Sequence, residues 1–127
     1  MVTGMYAGFS ALLMLYLSWR VVRERQRCQV GLGDGGDPDL QRAMRVHANF
    51  VEYTPLALVM LLAYEISGAN PLLVHAFGAA LLLSRILHAR GFGRSAGYSR
   101  GRFFGTLGTW IVLALLGVAL IERALFG

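Results

Sequence analysis

Phe103–Ile121 reads FFGTLGTWIVLALLGVALI, a run of 19 residues with no Asp, Glu, Lys or Arg. As an α-helix such a run is roughly 28 Å long, which matches the roughly 30 Å hydrocarbon core of a bilayer. Three more stretches of this length contain a single charged residue, Glu52, between them: Met1–Trp19, Val46–Tyr64 and Ile66–Ser84. We therefore predict an all-α integral membrane four-helix bundle, one domain over residues 1–127, with spans at about 1–20, 40–67, 70–90 and 102–124.

The overall composition also favours a membrane protein. Of 127 residues, 56% are hydrophobic and 15% charged, and the mean hydropathy is +0.55. A soluble domain of this size cannot bury so much apolar side chain. The net charge of +5 does not indicate nucleic-acid binding, because the arginines flank the apolar stretches. Cys28 is the only cysteine, and no His/Cys cluster predicts a metal site.

The basic residues are all arginine, and their distribution predicts the topology. They gather between the first two spans and around the third connection, whereas the second connection, 65–70, has none. The positive-inside rule therefore places connections one and three in the cytoplasm and both termini outside. The Gly- and Asp-rich segment 31–39 is predicted to be a flexible cytoplasmic loop. Four arginines are expected to contact membrane lipid head groups: Arg20, Arg23, Arg25 and Arg27.

The second span carries a polar stripe, which we define as Arg42, Arg45, Asn49 and Glu52. These residues follow one another at steps of three, four and three, so they share one helix face. A carboxylate in hydrocarbon costs several kcal/mol and is rarely kept without a partner or a task. The stripe therefore predicts a site for a polar ligand at the membrane surface. The structural alternative is an ion pair between Glu52 and an arginine of a neighbouring helix that only fixes packing.

A second polar cluster lies at the end of the third span. Arg85, His88 and Phe92 are spaced by three and four residues, and the topology places them on the same side of the membrane as Arg45. Two arginine-bearing faces and one carboxylate suit a small zwitterion with more than one carboxylate. His88 has a structural alternative as a cap for the end of its helix.

The sequence resembles the MAPEG family, the membrane-associated proteins in eicosanoid and glutathione metabolism. The likeness rests on Arg45-x-x-x-Asn49-x-x-Glu52-Tyr53-x-Pro55-Leu56, followed by Arg85-x-x-His88 and Gly91-Phe92-x-Arg94-Ser95-Ala96. It covers the whole chain in size, span count and motif order, and it looks most like the small bacterial branch. The resemblance implies a protein of the bacterial inner membrane, a homotrimer with glutathione as co-substrate bound between subunits near the cytoplasmic face.

The resemblance also implies residue roles. Arg45, Asn49, Glu52 and Tyr53 match positions that hold the tripeptide, and Arg85 matches another binding arginine. Two further binding positions carry different residues here, because His88 and Phe92 stand where other members often have tyrosines. The arginine that stabilises the thiolate in those members aligns with Ser99, next to Arg100, so these two are the candidate catalytic residues.

The implied activity is a glutathione transferase or peroxidase that acts on apolar electrophiles or lipid hydroperoxides arriving from the bilayer. Two other classes remain open at this stage. One is a small multidrug transporter, which also has four short spans and a membrane carboxylate, although usually in the first span. The other is a non-catalytic membrane scaffold of the same fold, favoured by Ser99 in place of arginine.

Overall fold

The computed structural model describes residues 1–92 and 99–127, without the side chain of Phe92. It contains four helices: α1 (Val2–Cys28), α2 (Pro38–Ile66), α3 (Pro71–Phe92) and α4 (Arg100–Phe126). Each is long and apolar enough to cross a bilayer, and the described residues form no strand. The predicted all-α membrane four-helix bundle is confirmed.

α1 is longer than the predicted span, since it continues to Cys28 rather than ending near residue 20. Its last turns are rich in Arg, Glu and Gln. These residues have high helix propensity, so the helix can continue outside the hydrocarbon core of the membrane. Arg27 Nε donates to Glu24 Oε2 at 2.6 Å, an ion pair one turn apart that supports this extension. Gln29 ends the helix in a left-handed conformation with φ of 55°.

Asp37 is the N-cap of α2. Asp37 Oδ1 accepts hydrogen bonds from the N–H groups of Leu40 at 2.9 Å and Asp39 at 3.0 Å, and Pro38 occupies the first helical position. The Leu40 N–H and the Arg27 guanidinium hold the pKa of Asp37 below its usual value. The cap thus anchors the start of the helix that carries the polar stripe.

The other end of the bundle is closed by contacts between helices. α1 has no side-chain cap of its own; instead Glu65 of α2 accepts from the N–H groups of Val2 at 2.5 Å and Thr3 at 2.8 Å. Arg123 of α4 donates to the Ser67 carbonyl at 2.6 Å. Backbone N–H and C=O groups that lack a hydrogen-bond partner within their own helix are therefore satisfied by side chains of neighbouring helices.

The main core lies between α2, α3 and α4, where six of its buried residues are Ala57, Leu61, Val74, Leu81, Val112 and Leu116. A smaller cluster joins α1 to the first half of α2 through Leu17, Val46 and Phe50. Large apolar side chains also cover the outside of every helix, among them Leu12, Val59, Leu83 and Val118. Helices that are apolar all round suit a bundle whose outer surface contacts lipid.

α3 and α4 approach closely at Gly105. A Cβ added there would lie 2.6 Å from both the Ser84 oxygen and the His88 nitrogen of the α3 backbone. We expect Gly105→Ala to lower the free energy of unfolding in detergent micelles by about 1–3 kcal/mol, because overpacking must push the backbones apart. Gly117→Ala is the control, since its Cβ would come no closer than 3.7 Å to Met60 Cε. Equal losses in the two variants would contradict this packing argument.

Candidate functional site

The polar stripe of α2 points away from the core of its own chain. The buried residues of this part of the helix, Ala43, Val46, Phe50 and Thr54, lie on a different face, roughly 120° around the helix from the stripe. Arg45 and Glu52 are exposed, and within residues 1–92 and 99–127 neither makes a hydrogen bond or an ion pair. The stripe therefore presents two outward-facing charges, Arg45 and Glu52, in the first half of α2.

Arg42, at the start of the stripe, differs from the other members because it forms an ion pair with Asp39. Its charge is partly satisfied at the surface. The part of the stripe that is left to bind a ligand consists of Arg45, Asn49 and Glu52.

Arg85 supports the stripe from inside the bundle. Its side chain is only 2% exposed, and its Nη2 donates to Asn49 Oδ1 at 2.5 Å. Its Nη1 donates to Thr109 Oγ1 at 3.2 Å, and that hydroxyl donates onward to the Gly105 carbonyl at 2.8 Å. One guanidinium thus connects α2, α3 and α4 directly behind the stripe.

This contact fixes the orientation of the Asn49 amide. Because Arg85 has only donors, the oxygen of Asn49 must face it, and the NH₂ group must point elsewhere. Asn49 is half-buried, so its two N–H donors are available at the edge of the stripe between Arg45 and Glu52. The amide is in effect a donor group held in place by a buried charge.

The charge on Arg85 is not neutralised by an acid within the described part of the chain. Its hydrogen-bond partners, Asn49 and Thr109, are neutral, and its Nε has no hydrogen-bond partner among the described residues. A buried charge without a counter-ion is costly. The site therefore favours an anionic group that approaches near Asn49.

The remaining predicted binding residues lie at different distances from the stripe. Tyr53 is half-buried and follows Glu52 on α2. His88 is 2% exposed and lies one turn beyond Arg85, inside the bundle beside Gly105. Phe92 ends α3, but its side chain and the Arg94-Ser95-Ala96 part of the motif lie outside the described residues.

Ser99 and Arg100, the candidate catalytic residues, lie at the start of α4. Ser99 is the helix cap, with its side chain accepting from the Arg102 N–H at 3.5 Å, and Arg100 is the first helical residue and is exposed. Both line a groove shared with α1 and α3, and no residue of the stripe lines that groove. The single chain therefore does not bring them to Glu52.

The structure adds one polar residue that sequence reasoning missed. Thr109 is fully buried and is the second partner of Arg85. The sequence signals it only as one of two threonines in the apolar run 103–121, and nothing there distinguishes it from Thr106. In the described residues, no group of three or more His, Cys, Asp or Glu side chains comes together as metal ligands.

A model of the MAPEG family matches residues 3–121. Two similar relatives are the inner membrane proteins YecN of Escherichia coli strain K12 and of E. coli O6:H1 strain CFT073, each 43% identical over 119 residues. The alignment covers 94% of this chain and 89% of each relative. The chain therefore belongs to the MAPEG family.

Proposed function

We propose that this protein binds glutathione in the bacterial inner membrane and transfers it to apolar electrophiles, or uses it to reduce lipid hydroperoxides. The observation that carries the proposal is Glu52, a carboxylate within a membrane span that points outward without a partner in the described chain. Beside it lie Arg45 and the amide of Asn49, which Arg85 holds in place. The inner-membrane location follows from the relatives, since YecN is an inner membrane protein.

Charge complementarity favours a tripeptide of this type. Glutathione at neutral pH has two carboxylates and one ammonium group. Arg45 can pair directly with one carboxylate through its guanidinium. Arg85, buried behind Asn49, supplies a second positive charge that favours the other carboxylate nearby. Glu52 supplies the negative charge for the ammonium group. The site and the ligand therefore have opposite net charges of equal size.

A second copy of the chain is the natural cover for the stripe. Arg45 and Glu52 would otherwise meet lipid tails at a cost of several kcal/mol. We propose a homotrimer, as the family resemblance implies, in which the stripe of one protomer faces the start of α4 of the next. Ser99 and Arg100, which lie away from the stripe of their own chain, would then approach the tripeptide from the neighbouring protomer.

The chemistry requires a thiolate. A thiol with a pKa of about 8.5 is only a few per cent ionised at neutral pH. The Arg100 guanidinium and the N-terminus of α4 favour the ionised form. The thiolate sulfur then attacks an apolar electrophile that enters from the bilayer, a carbon–sulfur bond forms, and the leaving group departs with the electron pair. Tyr53, next to Glu52 on α2, helps to orient the tripeptide, whereas His88 is buried one turn beyond Arg85 and acts only through the packing of α3.

The proposed topology puts the stripe and the arginine-rich connections on the cytoplasmic side. Arg45 and Asn49 lie near the start of α2, on the side of the membrane where the positive-inside rule places the first connection. Glutathione would therefore enter from the cytosol, and the electrophile would enter laterally from the lipid.

Calorimetric titration of glutathione into the detergent-solubilised protein tests the proposal. We expect saturable binding, and similar affinity for S-hexylglutathione, which keeps the charged groups but blocks the thiol. Arg45→Gln should lower the affinity for both ligands about tenfold, because a charge-assisted hydrogen bond is lost. Arg123→Gln, at the opposite end of the bundle, is the matched control and should bind normally.

A conjugation assay with 1-chloro-2,4-dinitrobenzene then separates an enzyme from a scaffold. An enzyme consumes glutathione at a rate that falls in Arg100→Gln while glutathione still binds. Binding without turnover would identify the scaffold. No binding by the wild-type protein would reject the proposed site altogether.

A further inference from the structure

A groove of about 940 Å³ lies between α1 and α3 at the end where α4 begins. Four arginines from three helices line it: Arg20, Arg23, Arg90 and Arg100. None of the described residues that line it is acidic. We refer to this cavity as the basic groove. It lies at the arginine-rich end of the bundle.

The positive charges of the basic groove are largely unbalanced. Arg20, Arg90 and Arg100 make no ion pair with any described residue. Arg23 lies 3.9 Å from Glu24 and 5.2 Å from the centre of the Trp19 ring, so it has a weak partner outside the groove. Like charges gathered around one cavity repel one another, and an anion placed among them relieves that repulsion.

An apolar cavity of about 300 Å³ adjoins the basic groove. The two cavities share Tyr16, Arg20 and Arg90, and the smaller one adds Leu13, Ile86 and Ala89. Leu13 precedes Arg20 by two turns of α1, and Ile86 precedes Arg90 by one turn of α3, so the apolar cavity extends toward the middle of the membrane. A basic groove and an apolar cavity thus lie side by side, separated by Tyr16, Arg20 and Arg90.

We propose that the basic groove and the apolar cavity together form a binding site for one anionic phospholipid. The phosphate lies among Arg20, Arg23 and Arg90, and an acyl chain runs down between Leu13 and Ile86. Tyr16 lies at the boundary, where an aromatic side chain with a hydroxyl suits the level of the head groups. Arginines that only contact the membrane surface would snorkel separately. Here, side chains from three helices converge on one chamber, as basic pockets for lipid head groups do.

Native mass spectrometry of the detergent-solubilised full chain tests this site. Palmitoyl-oleoyl phosphatidylglycerol should bind in a saturable step, more tightly than phosphatidylcholine with the same chains. Each arginine near an anionic lipid raises the binding constant by a factor of about five. The double variant R20Q/R90Q should therefore lower the affinity for phosphatidylglycerol about thirtyfold. The control R27Q/R42Q removes the same charge at the same end from residues that are paired with acids outside the groove. It should change the affinity less than about threefold.

Two further arms separate a lipid site from a site for a free anion. Ile86→Trp fills the apolar cavity, so it should weaken phosphatidylglycerol about tenfold while circular dichroism shows an intact helical fold. Inorganic phosphate at millimolar concentration should not displace the lipid. Displacement by phosphate, or an unchanged affinity in Ile86→Trp, would overturn the lipid assignment. Equal binding of the two lipids, or equal losses in the two double variants, would overturn the site. Arg100, at the α4 edge of the groove, is assigned above to the glutathione of a neighbouring protomer, so the lipid phosphate is placed against Arg20, Arg23 and Arg90 alone. Because the test variants leave Arg100 unchanged, the two proposals can fail separately.

Discussion

Glu52→Gln is expected to weaken glutathione binding by about 2–3 kcal/mol, a factor of roughly 30–150 in the dissociation constant. Glu52 is the only acid in the second apolar stretch, and its carboxylate is exposed without a partner in the described chain. Glutamine keeps the length and the acceptor oxygen but loses the charge that the ammonium group of the ligand requires. In the proposed site, which lipid and a second protomer would shield from water, that charge should have a large effect on the binding free energy. Calorimetric titration measures the change directly.

The matched control is Glu122→Gln, which removes an exposed acid near the end of α4 and should leave the affinity unchanged. Chemical modification of the ligand gives a sharper test. N-acetylglutathione lacks the ammonium group, so it should bind the wild-type protein weakly. The Glu52→Gln substitution should reduce its affinity little further. Two results would show that Glu52 does not hold the amine. One is that Glu52→Gln binds glutathione as tightly as the wild-type protein does. The other is that Glu52→Gln weakens the binding of N-acetylglutathione as much as it weakens the binding of glutathione.

Hydropathy predicts the four spans because a bilayer imposes a physical rule on the sequence. Backbone polar groups in lipid must be satisfied within a helix, and each helix must cross roughly 30 Å without charged side chains. Phe103–Ile121 meets that rule and lies within α4. That rule does not predict the extension of α1 from Arg20 to Cys28, because this part of the helix lies beyond the apolar run. A helix outside the hydrocarbon needs no apolar run, and its ion pair between Glu24 and Arg27 produces no hydropathy signal.

The site is predictable in part for a similar reason. Spacing by three and four residues fixes which residues of one helix share a face, so Arg45, Asn49 and Glu52 could be grouped before any fold was known. Spacing does not say which face turns inward. The orientation of α3 depends on its contacts with α2 and α4, including the close approach at Gly105. The burial of Arg85 is therefore a property of the packed bundle, and no local pattern indicates it.

The burial of Arg85 leads to a second large effect. Arg85→Met should weaken glutathione binding by about 2–3 kcal/mol, although the new side chain does not reach the outward face of α2. The loss has two sources, the missing positive charge and the released amide of Asn49, whose oxygen now accepts from Arg85 at 2.5 Å. Arg85→Lys separates them. Lysine keeps a positive charge but lacks the planar fork that contacts Asn49 and Thr109 together. If orientation dominates, Arg85→Lys should bind almost as weakly as Arg85→Met.

A double-mutant cycle between Arg85→Met and Asn49→Ala measures the part of the effect that passes through the amide. If Arg85 acts by positioning Asn49, the double variant should bind glutathione no more weakly than the weaker single variant. Additive losses would instead show that the guanidinium contacts the ligand independently. Thr109→Val is the matched control, because it removes the other contact of Arg85 and leaves the contact with Asn49 in place. It should change the affinity by less than about fivefold, since the buried guanidinium then loses only its longer and weaker hydrogen bond.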